Sequence, residues 1–428
     1  MVRVLKWIGA TLLAVVVLAL GAYGISRAMG PTRTERAALE ALTPSKPPAG
    51  RNGFAQLWLL PYAVPADEQA AVLKADLAAY AKSPEGFVTT AEKQWPHEQV
   101  NGVPGLRACS WTDQDCLARV RGNQAAYAAL VARNAGLSAR VEALGEADYV
   151  HNPFPLGLTM PMPTYQALGA PQTGHALAFV RGHRTEALAG VCRDARTARM
   201  LWKRPDTLAD GMISLAMLRG SANLFAEMLA QMPADAALPE DCQDAFAPFA
   251  QGGICAAMQG EFSYISANVQ AGGWRLVEGA GAAEGRWLFD PGKTLARMAV
   301  RPAWTCQAPG QAQVKADKPV TVPAELGTGW NVRCIANAAG CVLSNMETAD
   351  FAPHLRRLQD GVAQARLVSV ALWLRANPGK TLDDLPETLR QGRALQLDAE
   401  HKTLSMPLFA PQDGQARWSI PLPASRAD

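Results

Sequence analysis

Charge is scarce in this chain. Asp, Glu, Lys and Arg make up 18% of its 428 residues, against roughly 25% in an average soluble domain. The 41 basic and 38 acidic residues leave a net charge of only +3, so neither a nucleic acid nor an acidic polymer is expected as a partner. No second long apolar run free of charge occurs, which excludes a polytopic membrane protein. A disordered chain is excluded by an apolar share of 49%, ordinary for a globular protein.

Motifs that carry chemistry are equally sparse. No two cysteines stand at the Cys-x2–4-Cys spacing of a structural zinc knuckle, and the nearest histidines, His175 and His183, do not share a helix face. Neither a metal nor any other cofactor is expected. Gly-x-Ser-x-Gly and Ser-x-x-Lys are both missing. Gly292-Lys293-Thr294 and Gly379-Lys380-Thr381 end like phosphate-binding loops. The glycine needed five positions before each Gly-Lys pair is replaced by Trp287 and Leu374. Asp290-Pro-Gly-Lys-Thr294 reads instead as a turn, with Thr294 capping the next helix. His97-Glu98 begins like a zinc-peptidase helix, but Asn101 stands where a second histidine is required. No residue is therefore nominated as catalytic or metal-binding.

What is present begins at the N-terminus. After Arg3 and Lys6, the run Trp7–Ile25 carries no charge. Its nineteen residues span roughly 28 Å as a helix, close to the hydrocarbon thickness of a bilayer. A cleavable signal peptide has an apolar core of only about 7–15 residues. The segment therefore reads as an uncleaved signal anchor through residues 7–25, although Ala19-Leu20-Gly21 would suit a cleavage site. Arg27, Arg33 and Arg36 beyond the run balance Arg3 and Lys6 before it, so loop charge does not fix the orientation.

The cysteines decide it. There are eight, and Cys109/Cys116 and Cys334/Cys341 share one spacing. Seven steps along a straight helix separate the Cα atoms by roughly 10 Å, beyond the reach of a disulfide, so each segment must fold back to be bridged. Asp113, Asp115, Asn337 and Gly340 suit such turns. For the other four, Cys192–Cys242 with Cys255–Cys306 follows from proximity in sequence, one of three pairings. Disulfides behind an anchor place residues 1–6 in the cytoplasm and the body in the periplasm, at a bacterial inner membrane.

Residues 26–52 read as a Pro-rich linker with a short helical patch around Glu35–Leu42. A helix opens at Pro65 and stops at Ser83-Pro84; apolar residues at threes and fours make 115–144 helical; residues 151–173 are loop. A long helix is expected from His175 to Lys203, whose six Lys and Arg residues form a solvated face together with Arg204 just beyond it. Thr207 caps a second helix to about Met232, giving an αα-hairpin, and another helix covers about 353–376. Residues 296–336 look irregular or extended. Alternation at Leu395–Leu397, Leu404–Leu408 and Trp418–Leu422 predicts three short strands in a meander at about 393–423. The expected fold is mainly α: a transmembrane helix, then one multi-helix globular domain over 53–428 that ends in a small antiparallel β-meander.

For function, the absence of a catalytic signature favours a non-catalytic periplasmic protein that binds an envelope protein, as an assembly factor or an immunity-like inhibitor. The alternative is an envelope hydrolase whose site is assembled from distant residues, with Glu261, His151 or His175 participating. A pocket bringing histidine and carboxylate together favours the enzyme; an apolar groove without them favours binding. A lipid or ligand carrier would need an enclosed apolar cavity of about 300–1,000 Å³.

Overall fold

The computed structural model describes residues 2–98, 105–248, 252–272, 287–324, 326–327, 329–346, 351–400, 402–412 and 414–422; Asn101 lies outside them. Helix α1 (Val2–Ala28) is apolar and exposed along most of its length, and among the described residues it is the one helix long and apolar enough to cross a membrane. Thr32 and Glu35 form a capping box that opens α2 (Arg33–Ala41). This helix belongs to the body, because Ala38 and Leu42 are buried in the main core. The stretch of linker without regular structure is thus short, and even there Arg204 reaches the Ser45 carbonyl.

Next come α3 (Phe54–Trp58) and α4 (Gln69–Lys82), the latter preceded by a turn over Pro65–Glu68. The expected helical stretch 115–144 is three helices, α5 (Cys116–Gly122), α6 (Gln124–Arg133) and α7 (Ala135–Leu144). Asn123 leaves the helical conformation and its Oδ1 accepts the Ala126 N–H, so one residue ends α5 and caps α6. The long helix expected over 175–203 is also divided, into α8 (Ala170–Val180) and α9 (Arg184–Lys203). Gly182 at φ +94° makes the break, in a conformation that side-chain-bearing residues rarely adopt. α8 starts inside the expected loop because Pro171 sits in its first turn, where its missing N–H costs nothing.

α9 and α10 (Leu208–Leu229) form the central hairpin, and Thr207 caps α10 through the Asp210 N–H as expected. α11 (Gly253–Gln270) packs on it. Residues 296–336, expected to be irregular or extended, contain the end of α12 (Pro291–Met298), a 3-10 turn at 302–306 and α13 (Ala308–Lys315). Each of these opens with a proline in its first turn, so the prolines start helices here. Asp290, not Thr294, caps α12: its Oδ1 accepts the Lys293 N–H at 3.1 Å, and Thr294 Oγ1 donates back to the Asp290 carbonyl. α14 (Ala338–Met346), the long α15 (Ala352–Ala376) and the single turn α16 (Glu387–Arg390) follow.

The chain closes with an antiparallel meander of β1 (Gln396–Asp398), β2 (Thr403–Gln412) and β3 (Gln415–Pro421), in that spatial order. Leu404, Met406, Trp418 and Ile420 alternate into the core against α10 and α15. A buried ion network fixes this sheet. Arg393 pairs with Asp317 at 2.9 Å and with Asp360, whose oxygens also accept the Phe409 and Ala410 N–H groups at 2.9 and 3.0 Å.

Cysteines 109/116, 192/242, 255/306 and 334/341 lie at disulfide distance. The two seven-step segments do fold back, with Cα separations of 5.6 and 5.7 Å. In the first, Asp113 makes the turn by accepting the Ser110 N–H at 2.8 Å.

Candidate functional site

The turn between α9 and α10, Arg204-Pro205-Asp206, meets the proline-rich loop 151–163 at the edge of α11. Between them lies a cavity of about 350 Å³. Pro44, Pro153, Pro155 and Pro205 wall it with Phe154, Leu156, Met160 and Ala256, and its polar edge carries His151, Asp206, Gln259 and Ser263. Alternating prolines forbid helix and strand, so loop 151–163 is held by side chains. Phe154 is 2% exposed. Its ring packs between Phe54, Trp58, Tyr80 and Phe87 at centroid distances of 5.2–6.1 Å. The wall of the cavity is therefore preformed.

His151 and Asp206 form the polar centre. His151 Nδ1 lies 2.6 Å from Asp206 Oδ1, while Asp206 Oδ2 accepts the Asn152 N–H at 2.6 Å. Asn52 clamps the histidine backbone on both sides: its Oδ1 accepts the His151 N–H and its Nδ2 donates to the His151 carbonyl, both at 2.9 Å. With Nδ1 engaged by the carboxylate, Nε2 is the ring nitrogen left for another partner. The ring is 39% exposed. Gly260 lets α11 approach: a Cβ there would stand 2.2 Å from the Asp206 carbonyl oxygen.

A second network backs the first. Tyr165 donates to Asp210 Oδ1, and Thr207 Oγ1 donates to Asp210 Oδ2 at 2.9 Å. Burial raises Asp210 to about 6, with the nearby Asp206 adding to the rise and the Tyr165 and Thr207 bonds opposing it. Burial likewise pushes the Tyr165 phenol far up.

The three sequence candidates lie in different places. His151 sits in the cavity. Glu261 follows Gly260 but turns to α10, where its Oε2 accepts the Leu208 N–H at 3.1 Å, one of the donors left open at a helix start. Burial raises its carboxyl, against the Leu208 bond and the field of His354. His175 lines another cavity, between α6–α7 and α8–α9, with Nε2 3.3 Å from Asp194 Oδ2 and its ring against Gly190. His97 stacks edge-on against Tyr62, and Glu98 pairs with Arg140 at 2.6 Å. Among the described residues no three His, Cys, Asp or Glu side chains are grouped to hold a metal ion. Asp206, Asn152 and Asn52 are the residues that sequence reading passes over; the only local signal is Asn152-Pro153, a turn dipeptide.

No protein-family model matches the chain, and neither does any curated protein or solved structure.

Proposed function

We propose that this is a single-pass membrane-anchored binding protein, displayed in the periplasm from a bacterial inner membrane, whose proline-walled cavity takes an apolar segment of an envelope protein. The observation that carries this reading is the cavity itself, preformed and walled mainly by apolar side chains. Exposed Leu158 (72%) and Met162 (42%) lie in the same loop as its wall and extend the apolar surface beyond it. The anchor is supported by α1, and the compartment by four cysteine pairs at disulfide distance.

The test is photo-crosslinking from residue 158 in intact cells, followed by capture in detergent. One stoichiometric protein is expected with the parent chain, reduced at least about tenfold by Leu156→Asp, which places a charge in the apolar wall. A crosslinked partner indifferent to that change would refute the reading.

The hydrolase reading keeps one observation in its favour, the His151–Asp206 pair at 2.6 Å. That pair resembles the base and orienting carboxylate of an acyl-transfer site. Among the described residues the only hydroxyl lining the cavity, Ser263 Oγ, donates to the Gln259 carbonyl within its own helix at 2.8 Å. Hydrolysis of an ester substrate by the parent chain, lost in both His151→Ala and Ser263→Ala, would reverse the preference.

A further inference from the structure

We infer that the face of the body surrounding the end of α1 rests in the headgroup layer of the bilayer, so that the protein lies on its membrane instead of standing off it. The inference rests on the reading of α1 as the anchor.

α1 does not end in a flexible joint. Lys293 Nζ donates to the carbonyls of Ser26 and Arg27 at 2.6 and 2.8 Å, supplying a cation and two hydrogen bonds to the last turn of the helix. Ser26 is fully buried, and its Oγ accepts the Ala336 N–H at 2.9 Å. Arg333 reaches the Gly30 carbonyl at 2.8 Å and pairs with Glu35 at 2.6 Å. Tyr23 OH donates to the Trp287 carbonyl at 2.7 Å. Tyr23 lies about 3 Å to the membrane side of Ile25, the last residue of the apolar run. Trp287 is thereby set at the depth where a spanning helix leaves hydrocarbon for headgroups.

The body exposes apolar side chains around this junction. Trp287 is 69% exposed and Trp330 60%, with Leu288, Val332 and Ile335 between 36% and 53%. Trp330, Val332 and Ile335 flank Arg333, the residue that grips Gly30. The Cys334–Cys341 pair closes the same segment. Tryptophans with apolar neighbours are what the bilayer interface accommodates best. Arg27, Arg33 and Arg36, all exposed, stand beside them as partners for anionic headgroups. A second copy of the chain is the competing occupant, but nothing would then set the patch at the level of the membrane surface.

The test uses the full chain in nanodiscs of phosphatidylcholine and phosphatidylglycerol, with lipids brominated near the top of the acyl chains as contact quenchers. Trp7→Phe reports on the anchor, and the double variant Trp287→Phe/Trp330→Phe on the face. These three positions are exposed, so the fold is untouched. Each change is expected to remove a clear share of the quenchable emission. If Trp7→Phe removes its share and the double variant removes none, the body stands clear of the bilayer and the inference fails while the anchor survives. If Trp7→Phe removes none, the anchor reading falls and the inference with it. Protection of Trp287 and Trp330 from aqueous iodide only in discs carrying two copies would assign the face to a dimer and overturn the inference.

Discussion

At the scale of single residues, the body is governed by charges that are buried and answered. Asp76 is fully buried and accepts bonds from Trp58 Nε1, Thr89 Oγ1, Thr90 N and Thr90 Oγ1 at 2.6–2.8 Å. Arg393 serves two carboxylates at once. Replacing it with Met leaves the buried Asp317 and Asp360 carboxyls without this cation, at an expected cost of about 3–5 kcal/mol in denaturant unfolding. Glu227 is the contrary case. It faces the start of α5, where it accepts the Leu117 N–H at 3.3 Å, and burial raises it from 4.5 to about 7, with Asp115 and Asp113 adding to the rise. A carboxyl that holds its proton more tightly when folded stabilises the fold below its unfolded value. That contribution is lost as pH climbs through about 7. Glu227→Gln should therefore leave stability near pH 4 unchanged and raise it at pH 8 by about 1–3 kcal/mol. Equal effects at both pH values would show that the carboxyl titrates normally.

At the scale of elements, most of the helices were legible and their breaks were not. The apolar recurrence over 115–144 reports one buried face, and three consecutive helices can share it; a single Asn123 separates the first two without disturbing the pattern. Gly182 breaks the next stretch equally quietly. The meander was legible because alternation at Leu404/Met406 and Trp418/Ile420 is the pattern of a sheet with one buried face. Around 302–315 proline is ambiguous in sequence, since it breaks a helix interior but suits a first turn, and only the fold tells which. The cavity was beyond local reading. Its wall draws on residues 44, 151–160, 204–206 and 256–263, and Asp206 looks in sequence like any turn residue after a proline. Gly260→Ala would drive a methyl group into the Asp206 carbonyl, so α11 must move away from the α9–α10 turn. A loss of about 1–3 kcal/mol is expected. Any ligand capture should fall with it, whereas Gly252→Ala, which meets nothing within 4 Å, should be neutral in both assays.

At the scale of the whole molecule, four cysteine pairs staple a helical body of modest charge. Two of them, Cys192–Cys242 and Cys255–Cys306, bridge segments 50 and 51 positions apart, and the other two close loops of seven. In the chain-entropy account the long pairs stabilise by roughly 4 kcal/mol each and the short ones by about 2.5 kcal/mol. Cys192→Ala/Cys242→Ala should consequently lower the unfolding midpoint more than Cys109→Ala/Cys116→Ala. The reverse order would mean that the short loops are held for local shape.

The grip of Lys293 on the final carbonyls of α1 sets how far this protein can search. A slack leash of some twenty residues would let a domain sweep a hemisphere roughly 25 Å in radius. A stem locked at its exit allows no such sweep. On the proposed anchoring, encounters are confined to a thin film at the lipid surface, and a partner must arrive there by sideways diffusion or by reaching down.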